Sequence, residues 1–177
     1  MTKNASVKSL AVPDWPKQRL NGHKIEGNRY TSTTFFHREW ENMWTKVWLV
    51  LGRESEIPES GDYQMEEVGP ESFIMVRQTD GGIRAFYNVC QHRGHELLKG
   101  RGQLGKGITC PYHAWFYNHQ GELLRAPHTE QVAGFDRAEF SLRQLPIAFA
   151  AGLIFINLNP GCEPFAAEMA GFGPSLL

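Results

Sequence analysis

The sequence predicts a mainly β protein, an antiparallel β-sandwich or barrel preceded by one amphipathic helix. Short runs of β-branched and aromatic residues recur between turn signals over most of the chain, the pattern of a many-stranded antiparallel fold. A helical period is clear in one stretch, residues 33–48. The 177 residues, 41% of them hydrophobic, suffice for one globular core without disulfide staples.

Residues 1–30 are polar, rich in Asn, Lys and Pro, and read as an extended arm. In residues 33–48 the side chains of Phe36, Trp40, Trp44 and Trp48 fall four apart, with Met43 and Val47 beside them. One face of this helix is therefore aromatic and is expected to lie in the core. Ser32, Thr33 and Thr34 are its candidate N-caps.

Strand-like runs follow at 48–51, 63–68, 72–78 and 83–89, the last two joined by the turn Asp80-Gly81-Gly82. A further hairpin is expected where Trp115-Phe116-Tyr117 and Glu122-Leu123-Leu124 flank residues 118–121, and a final strand-forming run covers 147–158 around Gly152. The sequence holds no internal repeat. Residues 161–177 read as a tail of small and apolar residues.

A formal net charge of −1, with no basic run, argues against a nucleic-acid partner. The most hydrophobic segment, 147–158, is too short to cross a membrane and is interrupted by Gly152, so no membrane partner is expected. The first twenty residues hold Lys3, Lys8, Pro13, Asp14 and Pro16, without a signal-peptide core or twin arginines, and a cytoplasmic protein is expected. Three cysteines in such a chain suggest metal binding rather than a disulfide framework.

Two of them sit in metal-ligand settings. Cys90-Gln91-His92-Arg93-Gly94 and Cys110-Pro111-Tyr112-His113 are separated by residues 93–109, counted from His92 to Cys110, and each pair follows a predicted strand. Side by side, two such loops offer two thiolates and two imidazoles, the set by which a Rieske-type [2Fe–2S] centre holds one iron through Cys90 and Cys110 and the other through His92 and His113. Imidazole donates less charge than thiolate, which raises the potential above that of all-cysteine clusters. A structural Cys₂His₂ zinc site uses the same residue types, but its usual spacings do not fit these pairs.

The run from Cys90 to Gly94, followed by Cys110-Pro111-Tyr112-His113-Ala114-Trp115-Phe116-Tyr117, resembles the N-terminal Rieske domain of the large (α) subunit of ring-hydroxylating and related Rieske non-haem iron oxygenases. The resemblance covers about residues 30–160 and includes the aromatic helix, Gly61-Asp62-Tyr63, Asn88-Val89 and residues 154–158. One departure is Ala114, where many members have glycine. Respiratory Rieske proteins are similar at Tyr117 but carry disulfide cysteines where His95 and Tyr112 stand here, and serine at Trp115. The missing serine hydroxyl implies a lower potential, suited to an NAD(P)H-fed chain.

Other features take plainer readings. Gly100-Arg101-Gly102-Gln103-Leu104-Gly105 matches a dinucleotide fingerprint but opens no βαβ helix, and reads as a loop. His95 and Arg93 flank the first ligand loop, where each could serve the cluster, face a partner or play a local structural part. His23, His37, His119 and His128 show no facial-triad spacing, and Cys162 is a lone thiol.

The resemblance implies an organisation into an arm at 1–30, a Rieske [2Fe–2S] domain at 31–160, and a tail at 161–177 leading to a catalytic domain absent from this chain. In the family that domain holds a mononuclear Fe(II) on two histidines and a carboxylate, and nothing after His128 supplies the histidines. The implied work is single-electron transfer, with a reductase or ferredoxin as donor, neighbouring α-subunits in a trimer as acceptors, and aromatic or related compounds as the substrate of the whole oxygenase. A stand-alone Rieske ferredoxin and a structural zinc module are the alternatives.

Overall fold

Ser32 begins the main helix as its N-cap, its hydroxyl accepting from the Phe35 amide at 3.2 Å. The computed structural model describes residues 27–172; most of the expected arm, His23 included, and residues 173–177 lie outside the described residues. A first turn, α1 (Asn28–Thr31), precedes α2 (Thr33–Glu39), which widens into a π-helical turn at Trp40–Trp44. There the Thr45 amide donates to Trp40 O at 3.1 Å.

The helix expected over 33–48 thus ends early, and Trp48 belongs to the approach to the first strand. Asn42 Nδ2 and Thr45 Oγ1 donate back to the carbonyls of Arg38 and Glu41, local bonds that accompany the distortion. The aromatic face is also not core: Phe36, Met43 and Trp44 are exposed by 39%, 40% and 37%. Trp40 meets the sheet, lying so close to Gly69 that a Cβ there would stand 2.3 Å from the indole.

Ten strands form three open antiparallel sheets, with no closed barrel among the described residues. The first has the order β1 (Leu49–Arg53), β10 (Leu153–Ile156), β9 (Ile147–Ala150). Ala151 and Gly152, at φ 51 and 77, make the two-residue turn joining β9 to β10. The second runs β4 (Ile83–Tyr87), β3 (Glu71–Arg77), β2 (Asp62–Val68), β5 (Arg101–Gln103). The third joins β6 (Ile108–Thr109), β7 (Phe116–Tyr117) and β8 (Leu123–Arg125).

Strand β5 corrects the reading of residues 100–105 as a loop. Its middle residue must be small, because a Cβ on Gly102 would lie 3.0 Å from the Tyr63 ring of the neighbouring strand. The segment after residue 160 is also more than a tail. A short helix, α3 (Phe165–Glu168), buries Phe165 against Trp48 and Phe155 on the outer face of the first sheet.

Strand β3 explains how the site is supported. Its run Phe73-Ile74-Met75-Val76 is buried on both faces, as an uninterrupted apolar strand must be. Phe73 and Met75 join Leu49, Leu51, Ile154 and Ile156 in the core between the two larger sheets. Ile74 and Val76 point the other way, into a second core with Phe86, Cys90, Cys110, Trp115 and Tyr117. The small third sheet and both ligand loops are thereby packed onto the back of the sandwich.

Candidate metal centre

Both predicted ligand pairs lie in loops of one design. Cys90 follows β4 and Cys110 follows β6. In each loop the cysteine amide donates five residues ahead, Cys90 to His95 O and Cys110 to Trp115 O, both at 2.8 Å. In each, the amide four residues ahead donates back to the cysteine carbonyl, Gly94 to Cys90 and Ala114 to Cys110, both at 3.0 Å. Gly94 and Ala114 close the turns at φ 69 and 57.

The two loops converge. The imidazoles of His92 and His113 stand 4.7 Å apart between ring centroids, edge to face. The thiols of Cys90 and Cys110 are both buried and interact with each other. Burial pushes the Cys90 thiol up, opposed by hydrogen bonds from the Tyr117 hydroxyl and the His92 amide. The Tyr117 hydroxyl lies 3.3 Å from Cys90 Sγ and accepts from the Gln91 amide at 3.2 Å, which leaves its own proton free for the sulfur.

Burial, then the nearby His113 and Arg93, push the pKa of the His92 imidazole down, toward the neutral form that metal ligation requires. Its Nδ1 is buried without a hydrogen-bond partner, the state of a nitrogen whose lone pair is reserved for a metal. Among the described residues no three His, Cys, Asp or Glu side chains could hold a single ion. A dinuclear cluster asks for two protein ligands per iron, so the donor set fits it and not a four-ligand zinc site.

The loops differ in their flanks. The indole of Trp115, buried beneath His92, stacks on it at 4.7 Å and 8°. Phe135 and Phe140 back the indole edge-on at 5.9 and 5.5 Å. His113 instead touches the exposed ring of Tyr112 at 3.8 Å. Tyr112 and His95, the positions read as replacing disulfide cysteines, face each other at 5.5 Å.

Asn88 staples the first loop: Nδ2 donates to Ser72 Oγ and Leu98 O at 2.9 and 2.8 Å, and Oδ1 accepts from the amides of Leu97 and Leu98. In the sequence Phe135 and Phe140 belong to no motif, and Asn88 stands out only within the resemblance, as a polar residue closing a strand-like run two positions before Cys90. Arg93 is exposed and makes no ion pair among the described residues. His37 and His128 lie on the exposed surface, and Cys162 is a partly exposed free thiol.

A sequence model of the Rieske [2Fe-2S] domain matches residues 47–136. The chain belongs to this family. Its Rieske domain carries a [2Fe–2S] cluster. It is 40% identical over 153 residues to the carnitine monooxygenase oxygenase subunit of Escherichia coli (strain K12), covering 86% of this chain and 41% of that protein. It is 35% identical over 174 residues to the biphenyl dioxygenase subunit alpha of Paraburkholderia xenovorans (strain LB400), covering 89% and 38%. The apo crystal structure of the quaternary ammonium Rieske monooxygenase CntA superposes with a TM-score of 0.79 at 37% identity, over 84% of this chain and 43% of that one. The Rieske chain therefore spans about two fifths of the length of these relatives.

Proposed function

We propose that this chain passes single electrons through a [2Fe–2S] cluster held by Cys90 and Cys110 on one iron and by His92 and His113 on the other. The observation that carries the assignment is the convergence of the two loops, with two imidazoles 4.7 Å apart and His92 Nδ1 buried and unpartnered. The cluster supplies a one-electron store. The protein supplies two rigid turns that pre-orient the ligands, the Tyr117 hydroxyl against one sulfur, and an apolar wall that excludes water.

In this reading residues 31–160 form the electron-transfer unit of a Rieske oxygenase α-subunit in the cytoplasm. The similarity to proteins named as oxygenase subunits supports a separate reductase or ferredoxin as donor. A solved relative described in terms of inter-subunit electron transfer, with a TM-score of 0.77, supports a neighbouring α-subunit as acceptor, in the trimer that the family resemblance implies. In this reading the electrons serve oxygenation at a mononuclear iron, for which residues 27–172 bring together no ligand set. The identity to carnitine monooxygenase subunits, 38–41% against 33–35% for biphenyl dioxygenases and 32% for a glycine betaine monooxygenase subunit, favours a carnitine-like compound among the aromatic and related compounds that the resemblance implies.

The test is analysis of protein purified anaerobically. Iron and acid-labile sulfide in equal amounts, with a visible spectrum bleached by one electron, are expected. Zinc without sulfide, or a colourless protein, would refute the assignment.

A further inference from the structure

The two histidine ligands assigned above do not sit in equivalent surroundings, and the difference lies in residues that the ligand pattern does not include. His92 lies face to face on the Trp115 indole, the planes within 8°. The indole cannot turn away: it is 3% exposed, and Phe135 and Phe140, themselves stacked at 4.8 Å, press on it edge-on. His113 has for its neighbour Tyr112, tilted by 38° and 57% exposed. One imidazole rests on a buried wall, the other on a side chain free to move with solvent.

We infer that Trp115, backed by Phe135 and Phe140, is the positioning residue that fixes the His92 imidazole with Nδ1 directed inward, while adjustment of the site falls to the His113 side. A parallel stack restricts rotation about both side-chain torsions of His92, because turning the ring would drive its edge into the indole. With Nδ1 facing the metal, the ring nitrogen that could orient the imidazole is Nε2, and among the described residues it has no hydrogen-bond partner, so packing takes the place that such a partner commonly fills for a ligand histidine. The inference rests on the ligand assignment made above.

The test compares holoprotein variants by the rate at which a chelator bleaches the visible spectrum and by the EPR linewidth of the reduced state. Trp115→Leu is expected to bleach about tenfold faster, the usual loss when the support of a metal ligand is removed, with a broadened signal. Trp115→Phe, which retains an aromatic face, should recover most of both. Tyr112→Leu should bleach at the wild-type rate.

A Trp115 that merely fills space would lower thermal stability and leave the linewidth unchanged, which would overturn the inference. So would a Tyr112→Leu variant as labile as Trp115→Leu. Should Trp115→Leu not fold, Phe140→Leu loosens the wall without touching His92, and must broaden the signal for the inference to stand. Wild-type protein lacking iron and sulfide would defeat the ligand assignment itself; loaded wild type with indifferent variants defeats this inference alone.

Discussion

The loops of residues 90–95 and 110–115 share a hydrogen-bond pattern yet are held in place by different means. In the first, a polar staple works: Asn88 ties strand β3, through Ser72, to the segment after the loop, through Leu97 and Leu98, by four hydrogen bonds. In the second, close backbone approach and aromatic packing work, through Gly107 at the entrance and Trp115 at the exit. Similar turns can thus be supported by hydrogen bonding on one side of a cluster and by shape on the other. The difference predicts which substitutions each loop tolerates.

The largest effect is expected where the loops are alike. His92→Ala and Cys110→Ser each remove one proposed ligand from one loop and should lower bound iron at least about tenfold, measured by metal analysis. Retention of wild-type iron and spectrum by either variant would remove one loop from the site.

Next come the two supports. A Cβ on Gly107, at φ 153, would stand 2.1 Å from the backbone carbonyl oxygen of Tyr117, which cannot swing aside as a side chain could, so Gly107→Ala should cost about 3 kcal/mol or more. Asn88→Ala leaves the Leu97 and Leu98 amides and the Leu98 carbonyl without their partner and should cost about 3 kcal/mol. Thermal unfolding measures both. Hydrogen exchange separates them: Asn88→Ala should deprotect residues 96–98, and Gly107→Ala the third sheet.

A smaller effect sharpens the comparison at the sulfurs. Tyr117 stands on β7 beside the second loop, yet its hydroxyl bonds Cys90 of the first. A hydrogen bond to sulfur favours the reduced, more negative cluster. Tyr117→Phe should therefore lower the reduction potential; a bond worth about 1 kcal/mol corresponds to about 40 mV for one electron. An unchanged potential would mean that the hydroxyl serves the Gln91 amide instead.

Much of this was legible in the sequence because local chemistry dictated it. Asp80-Gly81-Gly82 forms the expected turn, with the Gly82 amide bound to Asp80 Oδ1 and Gly81 at φ 84. The run at 72–78 announces a strand, found at Glu71–Arg77, and the two Cys/His pairs announce their loops. The aromatic stripe of the helix misled, because a period of four states which side chains share a face but not what covers that face. Strand β5 was hidden because Arg101-Gly102-Gln103 has no strand propensity of its own; it exists because Tyr63 and the β2 edge receive it. The aromatic wall was hidden for a similar reason, since Phe135 and Phe140 lie more than twenty residues beyond the ligand they support and meet it only through Trp115.

The smallest effect concerns the residue that closes each turn. Gly94 and Ala114 occupy the same place in their turns, at φ 69 and 57, where a side chain crowds the backbone. Space is not the obstacle in the first loop, because a Cβ on Gly94 would find its nearest neighbour, Val89 Cγ2, at 4.0 Å. Gly94→Ala should therefore cost only the conformational term, about 1 kcal/mol. Ala114→Gly should relieve the same strain, partly offset by the greater freedom of glycine in the unfolded chain, for a net gain of about 0.5–1 kcal/mol. For a protein of this size each shift moves Tm by about 2–4 °C, in opposite directions, and the double variant should lie near wild type. If Ala114→Gly instead lowers Tm, the strain in the second loop is compensated by contacts of the methyl group, and the two turns are less alike than their hydrogen bonds suggest.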